Sequence, residues 1–130
     1  MFHPIYNYDF FMIPENCGIL VVRKAQVREH TVWRIVDFYG SIKNLPTLCR
    51  ELIKSAWLKS VSFIDLYISG VETEEILKSG LTNISDNVII PNYLEPLVME
   101  NIEIPYVTSN SSEPIFFRGD CDQDRPSRLS

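Results

Sequence analysis

Residues 31–58 read TVWRIVDFYGSIKNLPTLCRELIKSAWL, and the change of period within this stretch decides the fold. From 32 to 39 the chain is almost continuously apolar, interrupted only by Arg34 and Asp37. A run this short, apolar on both alternating faces and rich in β-branched and aromatic residues, predicts a buried central strand. Gly40 ends it, and Ser41, Ile42, Lys43 and Asn44 form a short loop. Leu45, Leu48, Cys49, Leu52, Ile53, Ala56 and Trp57 then recur at the spacing of one helix face, the stripe expected of a helix laid on a sheet. Asn44 is positioned to cap that helix. Pro46 suits its first turn, where the missing N–H costs nothing. The unit is strand, loop, helix, and the amides of the helix start lie just beyond the strand end, where an anion can bind.

The flanking sequence extends this unit on both sides. Residues 8–13 (YDFFMI) and 19–27 (ILVVRKAQV) have strand propensity and surround the turn chemistry of 14–18 (PENCG), which predicts a hairpin feeding the central strand. Downstream, 61–68 (VSFIDLYI) is a second two-faced apolar run with Asp65 as its single acid. A strand reached through a helix is expected to run parallel to the one before it. Ser69 and Glu72 read as a capping box for a short helix, with Ile76 and Leu77 inward and Gly80 as its stop. A further strand at 88–93 (VIIPNY) contains Pro91, which marks an edge or a bulge. Prolines break the segment to 113, and 115–118 (IFFR) is a last short strand before a polar tail at 119–130.

The 130 residues are expected to form one domain, read as α/β (α+β) with a mixed, mostly antiparallel sheet and helices on its faces. A net charge of −5 without a basic cluster argues against nucleic acid as a partner. No apolar run reaches the length of a membrane span and no leader peptide is recognisable, so a cytoplasmic protein without a membrane partner is expected. Cys17, Cys49 and Cys121 are odd in number and widely spaced, which fits neither a disulfide framework nor a zinc site. Cys49 lies on the helix stripe and is expected as a buried thiol. Trp33 and Trp57 are expected in the core, and His30 in an exposed turn.

The order strand, strand, strand, helix, strand, helix, strand, strand resembles the larger, C-terminal part of the GNAT fold, the Gcn5-related N-acyltransferases. Three phrases are also similar to GNAT-like proteins of bacterial surface-polysaccharide clusters: His3-Pro4-Ile5-Tyr6, Arg34-Ile35-Val36-Asp37-Phe38 and Asp120-Cys121-Asp122-Gln123-Asp124-Arg125-Pro126. The resemblance implies an acyl-CoA-dependent N-acyltransferase using acetyl-CoA or another acyl-CoA, with a small-molecule amine as acceptor. It implies that Phe38 and Tyr39 present backbone to the pantetheine and that Gly40, Ser41, Ile42, Lys43 and Asn44 hold the pyrophosphate. The chain departs from the family at three points. The Arg/Gln-x-x-Gly-x-Gly/Ala loop is reduced to Gly40 and Lys43, Ile76 stands where many members carry a tyrosine, and the N-terminal strand and helices of the full fold have no counterpart before Met1.

Asp37 and Asp65 are the candidate catalytic residues, each the single acid of an apolar strand. A carboxylate in such a place must be hydrogen-bonded, paired or protonated. Either could take a proton from an attacking amine, or each could serve a structural ion pair, with Arg34 or Arg23 as partner. Alternation places Arg34 and Asp37 on opposite faces of their strand. Residues 40–44 read equally as a phosphate cradle and as a plain strand-to-helix turn. Asp120, Asp122 and Asp124 have the spacing that opens a calcium loop but lack its glycine and distal glutamate, so no metal is expected. The alternative to an enzyme is a non-catalytic GNAT-shaped binding or assembly module whose sheet edges favour a homodimer.

Overall fold

The computed structural model describes residues 7–15, 18–27, 29–84 and 114–120. Strands β1 (Tyr8–Phe11), β2 (Gly18–Val27) and β3 (His30–Gly40) form an antiparallel meander, and β4 (Phe63–Leu66) joins it parallel to β3. The sheet order is β1-β2-β3-β4. Helix α1 (Leu45–Leu58) makes the β3-to-β4 crossover. A second, two-stranded sheet pairs β5 (Ile68–Ser69) with β6 (Phe116–Phe117), and helix α2 (Thr73–Leu77) follows β5. The result is a mixed α+β domain with a mostly antiparallel sheet.

The core lies between α1 and one sheet face. Leu20 and Val22 of β2, Trp33 and Ile35 of β3, and Leu45, Leu48, Cys49 and Leu52 of α1 are all buried there, joined by Ile76 and Phe117. The stripe read from the sequence is therefore the face that packs, up to a point. Trp57 is 84 % exposed rather than in the core. The reason is geometric. Among the described residues β4 has no strand beyond it, and Trp57 lies about a third of a turn from the centre of the face marked by Leu45, Leu52 and Ala56, so with Ile53 it lines a groove beside β4. Trp33 is buried as expected, with the ammonium groups of Lys24 and Lys59 lying 5.3 and 5.5 Å from its ring. Leu77 is exposed while Ile76 points inward.

Local corrections follow from hydrogen bonding. Asn44 does not cap α1: it ends a 3-10 turn (Ile42–Asn44) that starts after Ser41, and its side chain makes no capping bond. The capping box does not form either. Ser69 is taken into β5 and Glu72 occupies the cap position of α2. Helix α2 ends at Leu77 with Lys78 as its C-cap, earlier than expected, and Gly80, at φ 99°, ends the turn that follows, a conformation glycine adopts without penalty. The run 61–68 forms two strands that part at Tyr67. The strand read at 88–93 lies outside the described residues. Among the described residues no helix is long and apolar enough to cross a membrane.

Burial pushes the Cys49 thiol up from 9.0 to about 12. In the unfolded chain the thiol ionises near its ordinary value, whereas the folded protein holds it neutral. Stability is thus unaffected by this group below pH 9 and falls as the pH rises from 9 towards 12, by at most about 4 kcal/mol. Denaturant titrations of wild type and Cys49→Ala across pH 8–11 should give a steeper loss for wild type. Parallel slopes would contradict it.

Candidate functional site

Two carboxylates, three arginines and one turn occupy the sheet face opposite α1. The register builds this arrangement row by row. Tyr8 pairs with Arg23, Arg23 with Arg34, and Arg34 with Asp65, so one row crosses all four strands. Arg23, Arg34 and Asp65 are buried. The Arg34 guanidinium stands 3.0 Å from Asp65 Oδ2, and Arg118 approaches the same oxygen at 3.6 Å. Arg118 also lies over the Tyr67 ring, 4.2 Å from its centroid. An acid with a side chain wholly removed from solvent and facing two guanidinium groups remains a carboxylate, and it cannot meet a substrate amine. Of the two readings of Asp65, the ion pair with Arg34 is the one that forms.

Asp37 is placed differently, and by a bulge. Val21 pairs with Asp37 but Val22 pairs with Ile35, so Val36 is an extra residue in β3. The added residue shifts the alternation by one. Asp37 and Arg34 consequently share a face, contrary to the simple alternation of the sequence. Asp37 is half-buried, and its Oδ1 accepts the Phe38 N–H at 2.7 Å. The Tyr39 hydroxyl donates to the Asp37 carboxylate. That bond, with the Asp37 charge and a further contribution from Asp120, raises the Tyr39 phenol above its ordinary value. Tyr39 itself is exposed. A half-accessible acid and a phenol thus stand together at the C-terminal end of the central strand.

That end is where the parallel strands separate. Pairing between β3 and β4 spans only Val32–Phe63 to Ile35–Leu66. Beyond it β3 runs on to Gly40, while the chain after Leu66 turns into β5 and pairs with β6. The segment from β6 through the 3-10 turn Arg118–Asp120 enters the resulting wedge. Phe117 packs into the core with its ring 6.3 Å from Phe38, and Arg118 reaches Asp65 on the other face. Gly119 lies against β3 so closely that a Cβ there would sit 2.8 Å from the Val36 carbonyl oxygen. Asp120 Oδ2 accepts the Phe117 N–H at 2.7 Å, closing the turn. Arg118 and Gly119 were not singled out from the sequence as site residues; the one signal is a lone arginine ending an apolar run.

For an acyl-CoA, this geometry fits in part. On its side away from β2, residues 37–40 of β3 have no strand partner among the described residues, although the Phe38 N–H is held by Asp37 Oδ1. At Val36 the edge is taken by Gly119. In the loop, the Asn44 N–H donates to Ser41 O at 2.8 Å, the Leu45 N–H donates to Ile42 O, and Pro46 has no N–H to offer. The donors this turn leaves outside its own bonds are the amides of Ile42 and Lys43, together with the exposed Lys43 ammonium. Among the described residues no three His, Cys, Asp or Glu side chains gather as a metal site; Asp122 and Asp124 lie outside them.

No family model, curated protein or solved structure matches this chain.

Proposed function

We propose that this chain is the coenzyme-binding part of a GNAT-like, acyl-CoA-dependent N-acyltransferase acting on a small-molecule amine. The observation that carries the reading is the parting of β3 from β4 after Ile35 and Leu66, which leaves residues 37–40 without a strand partner on that side among the described residues, leading into the loop before α1. The coenzyme would lie along Phe38, Tyr39 and Gly40. Its phosphates would be met by Lys43 and by the amides at Ile42 and Lys43, with Ser41 and Asn44 shaping the turn. Acyl-CoA supplies an activated thioester. Asp37 is the acid close enough to the opening to receive a proton from an amine, and Tyr39 orients it through their hydrogen bond. Asp65 acts at a distance, holding β3 to β4 through Arg34.

Acetyl-CoA should therefore stabilise the folded chain. At a hundredfold excess over Kd the gain is about 2.7 kcal/mol, a rise in melting temperature of several degrees. Lys43→Glu should reduce that rise. An unchanged melting temperature at millimolar acetyl-CoA would end the coenzyme reading.

A second reading has its own support. Gly119 against Val36 and the amides committed by the 3-10 turn are what a GNAT-shaped module without chemistry would present. Phe10 and Met12, exposed at and beside β1, could then meet a second copy. Sedimentation of the free chain separates the two: a dimer unresponsive to acetyl-CoA favours the module.

A further inference from the structure

We propose that Gly119 and Asp120 form a latch over the central strand, which must lift from Val36 for a ligand to lie along the full edge of β3. The inference rests on the coenzyme reading above. Its basis is a gradient along one short segment. Phe117 is buried in the core and Arg118 is buried beside Asp65, so the N-terminal end of the turn is anchored. Gly119 and Asp120, one and two residues later, are exposed. Between anchored and exposed parts the chain changes from strand to 3-10 turn, and the hinge falls at Arg118.

The exposed part covers the position that matters. Val36 is the extra residue of the bulge and the first residue of β3 past its pairing with β4, so its carbonyl is the first acceptor an extended ligand would meet on entering the wedge. Gly119 stands on that carbonyl, and only a residue without a Cβ fits there. The tie holding the exposed part down is the Asp120 carboxylate on the Phe117 amide. That bond is part-buried and charge-assisted, so the closed turn is the resting state and a ligand must displace it to reach the edge. Asp120 also bears on the Tyr39 hydroxyl, the group bonded to Asp37, so lifting the latch would change the surroundings of the half-accessible acid at the same moment as it frees the edge. The latch is thus an internal occupant that competes with ligand for one strand edge.

Two variants of the full chain test this. Gly119→Ala places a Cβ against the Val36 carbonyl and should push the turn away, while Asp120→Ala removes the tie at an exposed position where folding is not at stake. Amide exchange followed by NMR should accelerate at Phe117 by tenfold or more in both variants, with Leu20 and Ile35 in the β2–β3 ladder unchanged. Titration with acetyl-CoA should give a Kd several-fold lower in both than in wild type. Weaker binding in the variants would overturn the latch, because the turn would then be a wall of the site. Equal binding in all three chains would also overturn it while leaving the coenzyme reading in place. Absence of binding in all three would end the coenzyme reading and the gating role together. Should Gly119→Ala fail to fold, Asp120→Ala alone decides between these outcomes.

Discussion

Replacing Asp65 with alanine is expected to cost about 3–5 kcal/mol, enough to leave a domain of this size partly or wholly unfolded. Two buried guanidinium groups face this carboxylate, Arg34 at 3.0 Å from the neighbouring strand and Arg118 at 3.6 Å from the turn in the wedge. Arg23 is buried one strand further along the same row, directly opposite Arg34. Removing the acid withdraws the negative charge that offsets like charges held in low dielectric, which is far more damaging than losing an exposed pair. Three elements would loosen together: the β3–β4 pairing, the turn at Arg118, and through them the opening beside Asp37. Urea titration of Asp65→Ala should show the lower midpoint, with Asp65→Asn between it and wild type. The triple variant Arg34→Met/Asp65→Leu/Arg118→Met should recover much of the loss, because an apolar cluster of similar volume removes the desolvation penalty along with the attraction. A cost below 1 kcal/mol for Asp65→Ala would mean that the row is not what holds the strands. If the chain transfers acyl groups as proposed, any loss of that activity in Asp65 variants should track unfolding, whereas Asp37 variants should fold normally.

The strand-loop-helix unit was legible because its two halves carry different periods and each period matches what the element packs against. The antiparallel hairpin and the parallel entry of β4 followed from the same logic. What escaped was non-local. Nothing in Arg34-Ile35-Val36-Asp37 marks Val36 as a bulge; that is settled by how two strands of unequal length align, and it reversed the side on which Asp37 stands. The partner of Asp65 was foreseen only as one of several, since Arg34 reaches it through a register that strand propensity does not fix. Arg118 arrives from more than fifty residues away, so no local pattern could join it to Asp65. The capping residues failed for a different reason: Ser69 satisfied its backbone by pairing with Phe116, a tertiary alternative to capping that local sequence does not reveal.

Leu48→Ala should cost about 2–5 kcal/mol, and Trp57→Ser less than about 1 kcal/mol, although the sequence reads both into one apolar stripe of α1. The contrast tests which face of α1 is buried. Leu48 is fully buried, and its Cδ1 would lie 2.7 Å from a Cβ at Gly18, so it sits directly on the backbone at the start of β2. Glycine has no side chain with which to refill the space, which places the cost of the cavity towards the upper part of its range. Trp57 is exposed at the rim of the groove beside β4, and its ring gives up little burial when removed. A third variant makes the argument sharper. Gly18→Ala alone should destabilise, because its methyl meets Leu48 and Phe38, but in the Leu48→Ala background the same methyl partly fills the vacated volume. The double variant should therefore be more stable than the sum of the two losses, with a coupling of about 0.5–3 kcal/mol read from denaturant midpoints. Equal costs for Leu48→Ala and Trp57→Ser would show Trp57 to be packed against the protein rather than exposed on α1. The C-terminal turn of α1 would then cover β4, and the groove beside that strand would close.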